Sequence, residues 1–267
     1  NTLISVIRQK PLVIDMHELF TEVPELAGQS LKKAIWRWVE KIGIARSKKR
    51  YTVSRTIADH YESRYGRSFE VIRNVPLLAD QNEQIKKSTQ FTIAYVGAIN
   101  MGRGLEQLIR VLQRIDDVDL IICGKGDLNL ELRSLTEELN LTNRVHFSGW
   151  IEPKEIQHQL QKAHVGINLL DSTSQSYYLS LANKYFDYIH AGLPIISMNF
   201  PEYRYLNETC QTSILIDDLA EEKIIEAILT LKNETNIYFN LLNNCQTAKD
   251  QWNWQSESKR LLSIFDL

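Results

Sequence analysis

The sequence has little of what metal sites and disulfide frameworks are built from. Only three of its 267 residues are cysteines, and Cys123, Cys210 and Cys245 lie far apart, with no C-x-x-C pair and no Cys/His cluster at zinc spacing. A structural metal or a disulfide framework is therefore not expected. The same scarcity favours a reducing, cytosolic compartment.

Long apolar runs and an excess of one charge are also missing. No run approaches ~18 consecutive apolar residues, and no charged segment followed by an apolar one opens the chain. This composition predicts a soluble or peripheral protein without a spanning helix or a retained signal peptide. Because 31 basic residues nearly balance 33 acidic ones, a nucleic-acid partner is not expected either.

Short apolar runs alternate with amphipathic segments from residue 91 onward, which predicts an α/β domain with a parallel sheet. The predicted strands are 91–96, 118–123, 144–147, 165–170, 193–198 and 213–216. The predicted helices are 105–115, 128–140, 153–163, 184–190 and 221–232, followed by a helical stretch at 252–265.

The first part of the chain holds fewer strands, which are predicted at 11–16, 50–54 and 70–73. Ser54 and Gly66 are expected to cap a helix between the last two. Three strands are too few for a self-standing doubly wound sheet. We therefore expect an incomplete domain that lacks roughly one hundred residues of an ordinary ~150-residue domain. The polar, unpatterned stretch 78–90 is typical of a linker.

A strongly basic segment lies within this first part, at residues 31–50. It contains eight Lys or Arg residues and one acid, Glu40, so its net charge is 8 − 1, or +7, and it also contains Trp36 and Trp38. A basic helix with aromatic residues near its apolar face can bind anionic lipid headgroups, each basic residue contributing about 1 kcal/mol. A solvated helix face is the alternative.

Ligands of a parallel sheet bind beyond the carboxyl ends of its strands, so the loops at those ends are candidate sites. In the first loop, Gly97 and Gly104 allow close backbone approach to a phosphate, and Arg103 can donate to two phosphate oxygens. The glycine spacing matches neither the Walker P-loop nor G-x-G-x-x-G. Here, and at Gly124 and Gly126 in the second loop, an ordinary structural turn is the alternative.

The third and fourth loops offer an aromatic residue and hydroxyls. Exposed backbone at Gly149 and Ile151, together with Trp150, can hold a flat base, although a core tryptophan is an equal alternative. The loop 171–178 is rich in Ser, Thr and Tyr and can present hydroxyls to a polyol, or can be a flexible polar loop.

The segment 183–194 predicts a short helix, around residues 184–190, that carries a cation and an acid on adjacent turns. Lys184 and Asp187 are three positions apart, so both can serve one ligand. Lys184 and the helix N-terminus suit phosphate, and Asp187 can accept hydrogen bonds from ribose hydroxyls. The segment therefore predicts a nucleotide diphosphate.

The order of these motifs resembles that of the family 4 (group 1) glycosyltransferases of the GT-B fold. The resemblance extends to Asp15-Met16-His17-Glu18 near the start and to Trp252-Asn253-Trp254 before the last helix, and so covers nearly the whole chain. The other matching segments are Tyr95-Val96-Gly97, Arg103-Gly104-Leu105-Glu106, Gly124-Lys125-Gly126, Val145-His146-Phe147-Ser148-Gly149, Val165-Gly166-Ile167-Asn168-Leu169 and 183–196.

This resemblance implies two Rossmann-like, doubly wound parallel-sheet domains that face a cleft. Residues 1–78 would be the remaining part of the acceptor-side domain and 79–246 the nucleotide-sugar domain. Residues 247–267 would form a helix that crosses back to the first domain. The implied activity is sugar transfer from a nucleotide-diphosphate donor with retention of anomeric configuration, without a metal or other cofactor.

The resemblance also implies roles for individual residues. Arg103 and Lys184 would carry the donor diphosphate, supplying the charge that a metal supplies in other transferases. Asp187 matches the family's second glutamate, which holds the ribose. His17 matches a histidine that faces the donor sugar, with a capping role at the strand end as the alternative. The remaining predicted donor contacts are Gly97, Gly124, Gly126, Gly149, Trp150, Ile151 and Asn183.

Two positions depart from the family pattern. Leu179 stands where the first glutamate is expected, and leucine cannot hydrogen-bond a sugar hydroxyl. Tyr177, Tyr178 or the backbone near Ala182 is the expected substitute. Ala98 stands where many members carry an arginine of the phosphate cage, which leaves Arg103 and Lys184 as the main cations.

The resulting functional hypothesis is a glycosyltransferase of cell-surface polysaccharide or lipopolysaccharide synthesis. It would act on a saccharide or lipid-linked acceptor in the cytoplasm or at the inner membrane face. A nucleotide-sugar epimerase of the same fold and a non-catalytic nucleotide-sugar-binding module are the two alternatives.

Overall fold

The computed structural model describes residues 2–23, 26, 28–78 and 87–265, and two compact units can be distinguished. Unit 1 comprises Asn1–Asn74, Ser172–Leu181 and Gln255–Leu267, and unit 2 comprises Val75–Asp171 and Ala182–Trp254. The predicted linker falls largely on 79–86, outside the described residues, so the predicted boundary after residue 78 stays a prediction.

Unit 1 is built on a parallel three-stranded sheet. The strands are β1 (Val13–Met16), β2 (Lys49–Thr52) and β3 (Glu70–Val71), in the order β1-β2-β3. The helices are α1 (Thr2–Ile7), α2 (Ser30–Arg46), α3 (Arg55–Tyr65) and α7 (Gln175–Tyr178), with a 3-10 helix at Phe20–Glu22, and α12 (Trp254–Ile264) runs into this unit.

Helix α3 begins and ends where its capping residues predict. The Ile57 amide donates to Ser54 Oγ at 3.3 Å, and Gly66 has the left-handed φ of 63° that favours glycine. The buried face of α3 enters the apolar core of unit 1, where Ile57 and Tyr61 pack with residues of the sheet and of α2. The core residues are Leu19, Ile44, Val53, Ile57, Ala58, Tyr61 and Phe69.

Unit 2 contains a six-stranded sheet in which every neighbouring pair is parallel, as the alternating sequence pattern predicts. Its strands are β4 (Phe91–Val96), β5 (Val118–Cys123), β6 (Val145–Gly149), β7 (Val165–Asn168), β8 (Ile195–Met198) and β9 (Ser213–Ile216). Its helices are α4 (Leu105–Arg114), α5 (Asn129–Glu138), α6 (Pro153–Leu160), α8 (Asn183–His190), α9 (Pro201–Thr209), α10 (Glu221–Asn233) and α11 (Thr235–Gln251).

The strand order of unit 2 reverses at β4. The order is β6-β5-β4-β7-β8-β9, so β5 and β6 extend the sheet on one side of β4 and β7 to β9 on the other. In open α/β sheets, ligands bind beyond the carboxyl ends of the strands at such a switch point. The loop that follows β4 therefore lies where a ligand is expected.

Two long elements of unit 2 were not predicted from the sequence. Helix α9 begins with Pro201, and helix α11 buries only Leu241, Cys245 and Ala248, at a spacing of four and three residues. This narrow apolar stripe among polar side chains is a weak periodic signal. In the part of the chain that is described, no helix has the length and apolar character needed to cross a membrane.

Candidate functional site

Hydrogen bonds join the first and second loops at the carboxyl edge of the unit 2 sheet. The Gly97 amide donates to Cys123 O at 2.9 Å, and the Ile99 amide donates to Lys125 O at 3.0 Å. Both bonds continue the pairing of β4 with β5 beyond the last residues of the strands. The two glycine-containing loops therefore form one hydrogen-bonded backbone layer.

The third and fourth loops are attached to the same layer. The Gly124 amide donates to Gly149 O at 2.8 Å, and the Asp171 amide donates to Gly102 O at 2.9 Å. The structure thus brings the loops after β4, β5 and β6 together on one edge of the sheet. Asp171, in the loop after β7, is bonded to the same edge.

The glycines of these loops are required by neighbouring backbone. A Cβ atom on Gly124 would lie 1.8 Å from Gly97 O, and one on Gly126 would lie 2.2 Å from Ile99 O. Gly97 itself has a φ of 134°, a conformation that side-chain-bearing residues rarely adopt. These glycines therefore have a structural role in the turns, the alternative to a role in ligand binding.

Lys184 is buried beside the first loop. Only 7% of the residue is exposed, and its Nζ lies 3.7 Å from the centroid of the Tyr95 ring, which points to a cation–π contact. A Cβ on Gly97 would lie 3.6 Å from the same Nζ, so the ammonium faces the loop that follows β4. Within the described residues, Lys184 Nζ has no hydrogen-bond partner.

The charges around Lys184 leave this cation poorly compensated. Burial lowers the pKa of Lys184 well below its ordinary value, the Arg103 guanidinium lowers it further, and Asp187 partly opposes both. Burial also raises the pKa of Asp187 to about 6, although Lys184 counteracts this. A buried cation that repels a second cation and lacks a hydrogen-bonding anion is a site that an anionic ligand would complete.

Helix α8, which carries Lys184 and Asp187, is fixed to the sheet by a buried tyrosine. Tyr188 OH accepts from the Val96 amide at 3.1 Å and donates to Ile167 O at 2.9 Å, so it bridges β4 and β7. Gly166 makes room for this ring, because a Cβ there would lie 2.2 Å from Tyr188 Cγ. The helix is therefore held at the switch point of the sheet.

Further bonds fix the two ends of α8. At its start, the Ala182 amide donates to Tyr203 OH at 3.0 Å. At its end, His190 Nε2 donates to Trp252 O at 2.7 Å, and His190 is buried. Asn183, the first residue of the helix, is exposed. These bonds hold both ends of α8 in place.

Trp150 is not a core residue, because 59% of it is exposed. The structure therefore excludes the alternative of a core tryptophan. Trp150 and the half-buried Ile151 directly follow Gly149, which ends β6 and has a φ of 72°. An exposed aromatic ring at the ligand edge of the sheet is suited to stacking on a base, and this role stays a prediction.

His17 lies in unit 1, directly after β1. Its Nε2 is 2.7 Å from Asp15 Oδ2, and its Nδ1 is 3.1 Å from Asn74 Nδ2. With Asn74 donating to Nδ1, the ring proton is on Nε2 and is donated to Asp15. These bonds orient the imidazole at the carboxyl end of the strand, and its predicted role toward the sugar stays a prediction.

Leu179, the first departure from the family pattern, belongs to the apolar packing of unit 1. Its side chain packs against the core of that unit, and its carbonyl accepts from Thr56 Oγ1 at 3.0 Å. In the same stretch, Ser174 donates to Glu22 O at 3.3 Å. A leucine here therefore contributes burial to unit 1 where a glutamate would bring a charge.

Two site residues have a role that sequence reasoning missed. Tyr95 supplies the ring under Lys184, and its hydroxyl also donates to Ala98 O. Tyr188 joins the site helix to two strands. Tyr95 lies in β4 only two positions before Gly97, and this short separation could have placed it near the loop. Nothing local in the sequence identifies the partners of Tyr188.

The raised pKa of Asp187 predicts how ligand binding depends on pH. We expect the affinity for a nucleotide sugar to fall severalfold as pH decreases through about 6, because a protonated Asp187 accepts hydrogen bonds less well. A nucleotide sugar is the right probe, since it lacks the terminal phosphate proton that titrates near pH 6 in a nucleoside diphosphate. Titration calorimetry from pH 5 to 8 measures the effect.

The Asp187→Asn variant is the control for that titration. It keeps Lys184 and Arg103 but has no carboxyl to protonate, so its affinity should not fall between about pH 7 and 5. Protonation of Lys184 would act in the opposite direction and strengthen binding at low pH. An unchanged pH profile in the variant would contradict the role of Asp187.

Among residues 2–23, 26, 28–78 and 87–265, no group of three or more His, Cys, Asp or Glu side chains is placed to hold a metal ion. The expectation that the reaction needs no metal stays a prediction. The candidate site holds two basic side chains close enough to interact, Lys184 and Arg103.

The sequence matches a known protein family over most of its length. A family model described as "Glycosyl transferases group 1" matches residues 79–252, well over half of the chain. A chitobiosyldiphosphodolichol beta-mannosyltransferase of Candida albicans is 28% identical over 116 residues, which cover 43% of this chain and 22% of that protein. The matched part is thus a small fraction of that relative's length.

Solved structures resemble almost the whole chain. Sucrose-phosphate synthase from Thermosynechococcus elongatus has a TM-score of 0.78 at 18% identity, covering 98% of this chain and 69% of its own. Anabaena HepE, solved with UDP and glucose, has a TM-score of 0.80 at 17% identity, covering 99% of this chain and 74% of its own. This likeness confirms the predicted GT-B fold class.

Proposed function

The chain belongs to the group 1 glycosyl transferases, and we propose that it moves a sugar from a nucleotide-diphosphate sugar to an acceptor with retention of anomeric configuration. The observation that carries this proposal is Lys184, a buried cation whose Nζ has no hydrogen-bond partner in the described structure and faces the loop after β4. A donor diphosphate supplies the anion that this site lacks.

The proposed chemistry is electrostatic stabilisation of the leaving group. As the bond from the sugar to the diphosphate breaks, negative charge grows on the leaving phosphate oxygens. Cations that are already fixed in a water-poor site stabilise this charge without having to reorganise. Lys184 is held by α8 and by the Tyr95 ring, and Arg103 adds a second positive charge close enough to perturb the pKa of Lys184.

The remaining site residues are proposed to hold the rest of the donor. Asp187 accepts from the ribose hydroxyls, and Trp150 stacks on the base. Because Leu179 packs in unit 1, the sugar hydroxyls are assigned to Tyr177, Tyr178 or the backbone near Ala182. The other proposed donor contacts are the backbone of Gly97, Gly124, Gly126, Gly149, Ile151 and Asn183.

A thermal-shift panel of nucleotides and nucleotide sugars tests the donor site. A ligand present at 100 times its dissociation constant stabilises the folded protein by about 2.7 kcal/mol, which is readily measured. HepE, solved with UDP, makes uridine donors the first to try, and the mannosyltransferase relative adds nucleotide-mannose donors to the panel. If no nucleotide raises the melting temperature of the complete protein, the donor-site assignment is wrong.

A transfer assay separates the proposed activity from its two alternatives. Release of the nucleoside diphosphate together with an α-linked product from an α-linked donor supports retaining transfer. A changed sugar configuration without transfer to an added acceptor would identify an epimerase. Donor binding without transfer or hydrolysis in the complete protein would identify a binding module.

The acceptor is proposed to be a saccharide or a lipid-linked saccharide, handled in cell-surface polysaccharide or lipopolysaccharide synthesis. The relative with a dolichol-linked substrate in its name supports a lipid-linked acceptor. Helix α2, within the basic segment 31–50, adds an exposed apolar stripe. Exposed fractions are 75% for Leu31, 53% for Ile35 and 65% for Trp38.

The structure refines which basic residues of α2 are available for lipid. Glu22 accepts hydrogen bonds from Lys33 Nζ at 2.5 Å and from Arg37 Nη2 at 3.0 Å. Burial raises the pKa of Glu22, but these two bonds together with the positive charges of Lys33 and Arg37 outweigh it and lower that pKa to about 2. Lys33 and Arg37 are therefore engaged by Glu22 within unit 1. The proposed membrane contact rests on the apolar stripe and on other cations such as Lys41.

Liposome flotation tests this contact. We expect the protein to float with vesicles that contain anionic lipid, and the Leu31→Ser/Trp38→Ser variant to partition at least about tenfold less, because it loses two large apolar side chains. Phe239→Ser is the matched control, since Phe239 is 52% exposed on α11 of unit 2. Absence of flotation at every salt concentration would remove the membrane from the proposal.

A further inference from the structure

A cavity lies on unit 1, away from the strand end that carries His17. Its volume is about 310 Å³, and it opens at the amino ends of β2 and β3, with the last turns of α12 forming one wall. The lining residues that matter here are Lys48, Lys49, Arg50, Ser68, Glu70 and Arg260.

The lining of this cavity is strongly cationic. It contains four basic side chains and one acid, Glu70, so the formal charge of the lining is 4 − 1, or +3. A fifth cation, Arg67, is close to Arg50: burial and then Arg67 lower the pKa of Arg50. The whole chain has a formal net charge of −2, so this concentration of positive charge is local. Cations held together in a concave surface raise the local concentration of anions.

Two arginines of the cavity are held in place by the protein. Arg50 donates from Nε to Ser68 O at 3.1 Å and from Nη1 to Ser47 O at 2.7 Å. These bonds fix the plane of its guanidinium group. Both acceptors are neutral carbonyl oxygens, so these two bonds do not cancel the positive charge of Arg50.

Arg260 is oriented by a buried carboxylate. Its Nη1 donates to Glu257 Oε1 at 3.3 Å, and Glu257 is only 3% exposed. The other oxygen of Glu257 accepts from the Arg73 amide at 3.2 Å, which ties α12 to the end of the unit 1 sheet. Arg260, which lines the cavity, is thus carried by a firmly attached helix.

We propose that this cavity binds a phosphate group, as a monoester or a diester, at a site separate from the donor site. Arginine guanidinium groups match the geometry of phosphate oxygens, and lysine adds charge. The volume is at the lower end of the range of about 300 to 1,000 Å³ for small-molecule sites, which suits a small phosphorylated group. A soluble phosphate ester and the headgroup of an anionic lipid both present this chemistry.

The test is titration calorimetry on the full 267-residue chain at constant ionic strength. The probes are inorganic phosphate, glycerol 3-phosphate and monomeric dihexanoylphosphatidylglycerol below its micelle concentration. The double variant Lys48→Gln/Arg260→Gln removes two cavity cations. The control double variant Arg110→Gln/Lys259→Gln removes two exposed charges that do not line the cavity, one of them next to Arg260 on α12.

We expect the cavity variant to bind its preferred probe at least about tenfold more weakly, and the control to bind like the wild type, because each charged hydrogen bond to phosphate is strong. The Lys184→Ala variant keeps this binding, which separates the cavity from the donor site. The result therefore does not depend on the proposed transferase activity.

The outcomes also identify the source of the phosphate. Tighter binding of glycerol 3-phosphate than of the short-chain lipid assigns a soluble ester, and the reverse order assigns a lipid headgroup. Equal affinities of the cavity and control variants for all three probes would overturn the proposal. So would the absence of binding to the wild type, or binding that only Lys184→Ala removes.

Discussion

The Lys184→Ala variant is expected to lose at least about tenfold in kcat/KM, which corresponds to about 1.4 kcal/mol of transition-state stabilisation. Lys184 Nζ has no hydrogen-bond partner in the described part of the chain, and Arg103 opposes its charge. In the proposed mechanism, the ammonium therefore gains its counter-charge from the donor diphosphate, and more of it as the leaving group separates. Steady-state kinetics with the donor found by the thermal-shift panel measures the loss.

A second substitution shows that the loss comes from the charge. Lys184→Met keeps the apolar stem that packs over the Tyr95 ring and removes the ammonium. It should lose as much kcat/KM as alanine does. Its melting temperature should stay at or above that of the wild type, because burial already disfavours the charged form of Lys184.

Lys87 provides the matched control for this experiment. It is another lysine of unit 2 whose pKa is lowered by burial, to about 8, and its Nζ donates to Ala163 O at 3.0 Å. Ala163 lies just before β7, at the amino end of that strand and away from the loops of the site. Lys87→Met should change stability but not kcat/KM. Wild-type turnover by Lys184→Ala would show that another group supports the diphosphate.

The sheet of unit 2 could be predicted because its signals are local. β4, β5 and β9 occupy the predicted ranges, since each is a short apolar run bounded by turn residues. Helices α9 and α11, which lie before β9 and after α10, were not predicted. Helix α11 buries only a few small or scattered side chains, and its place is set by packing against α8 and α10, which a sequence pattern does not display.

In the candidate site, too, features set by neighbouring residues could be predicted from the sequence, whereas features set by distant residues could not. The spacing of Lys184 and Asp187 on one helix was enough to place a cation and an acid together. The burial and the shifted pKa values of these two residues depend on distant parts of the chain. The Tyr95 ring and Arg103 reach Lys184 from β4 and the loop after it, and burial of both charges depends on the completed fold.

The stretch Ser172–Leu181 belongs to unit 1 although it lies between two segments of unit 2. No periodic pattern in the sequence indicates that this stretch belongs to unit 1, because it is polar and its short helix spans only Gln175–Tyr178. Once Leu179 is seen against the apolar core of unit 1, its departure from the family pattern has a physical cause. A residue that serves the core of one unit is not available to bind sugar.

The Gly124→Ala variant is expected to lose about 3 kcal/mol of unfolding free energy. Its Cβ would lie 1.8 Å from Gly97 O, and a backbone oxygen cannot rotate away as the tip of a side chain can. Overpacking costs about 1 to 3 kcal/mol. Separation of the loops would also weaken the bond from the Gly97 amide to Cys123 O, worth about 1 kcal/mol. Urea denaturation of both proteins measures the difference.

Gly149→Ala is the matched substitution, because a Cβ on Gly149 would meet nothing within 4 Å. Its φ of 72° still penalises alanine, by about 1 to 2 kcal/mol. Both glycines lie at the same edge of the sheet and share one hydrogen bond. Equal losses in the two variants would therefore show that backbone conformation, and not the close approach of two loops, makes Gly124 necessary.

The same pair of variants separates two roles of glycine in the donor site. If glycine serves only close approach of the ligand, Gly149→Ala should reduce nucleotide affinity without a large loss of stability. If glycine instead allows the two loops to pack against each other, Gly124→Ala should lose stability and nucleotide affinity together. Displacement of Gly97 would also move the backbone that faces Lys184 Nζ. The 1.8 Å contact leads us to expect the second result at Gly124.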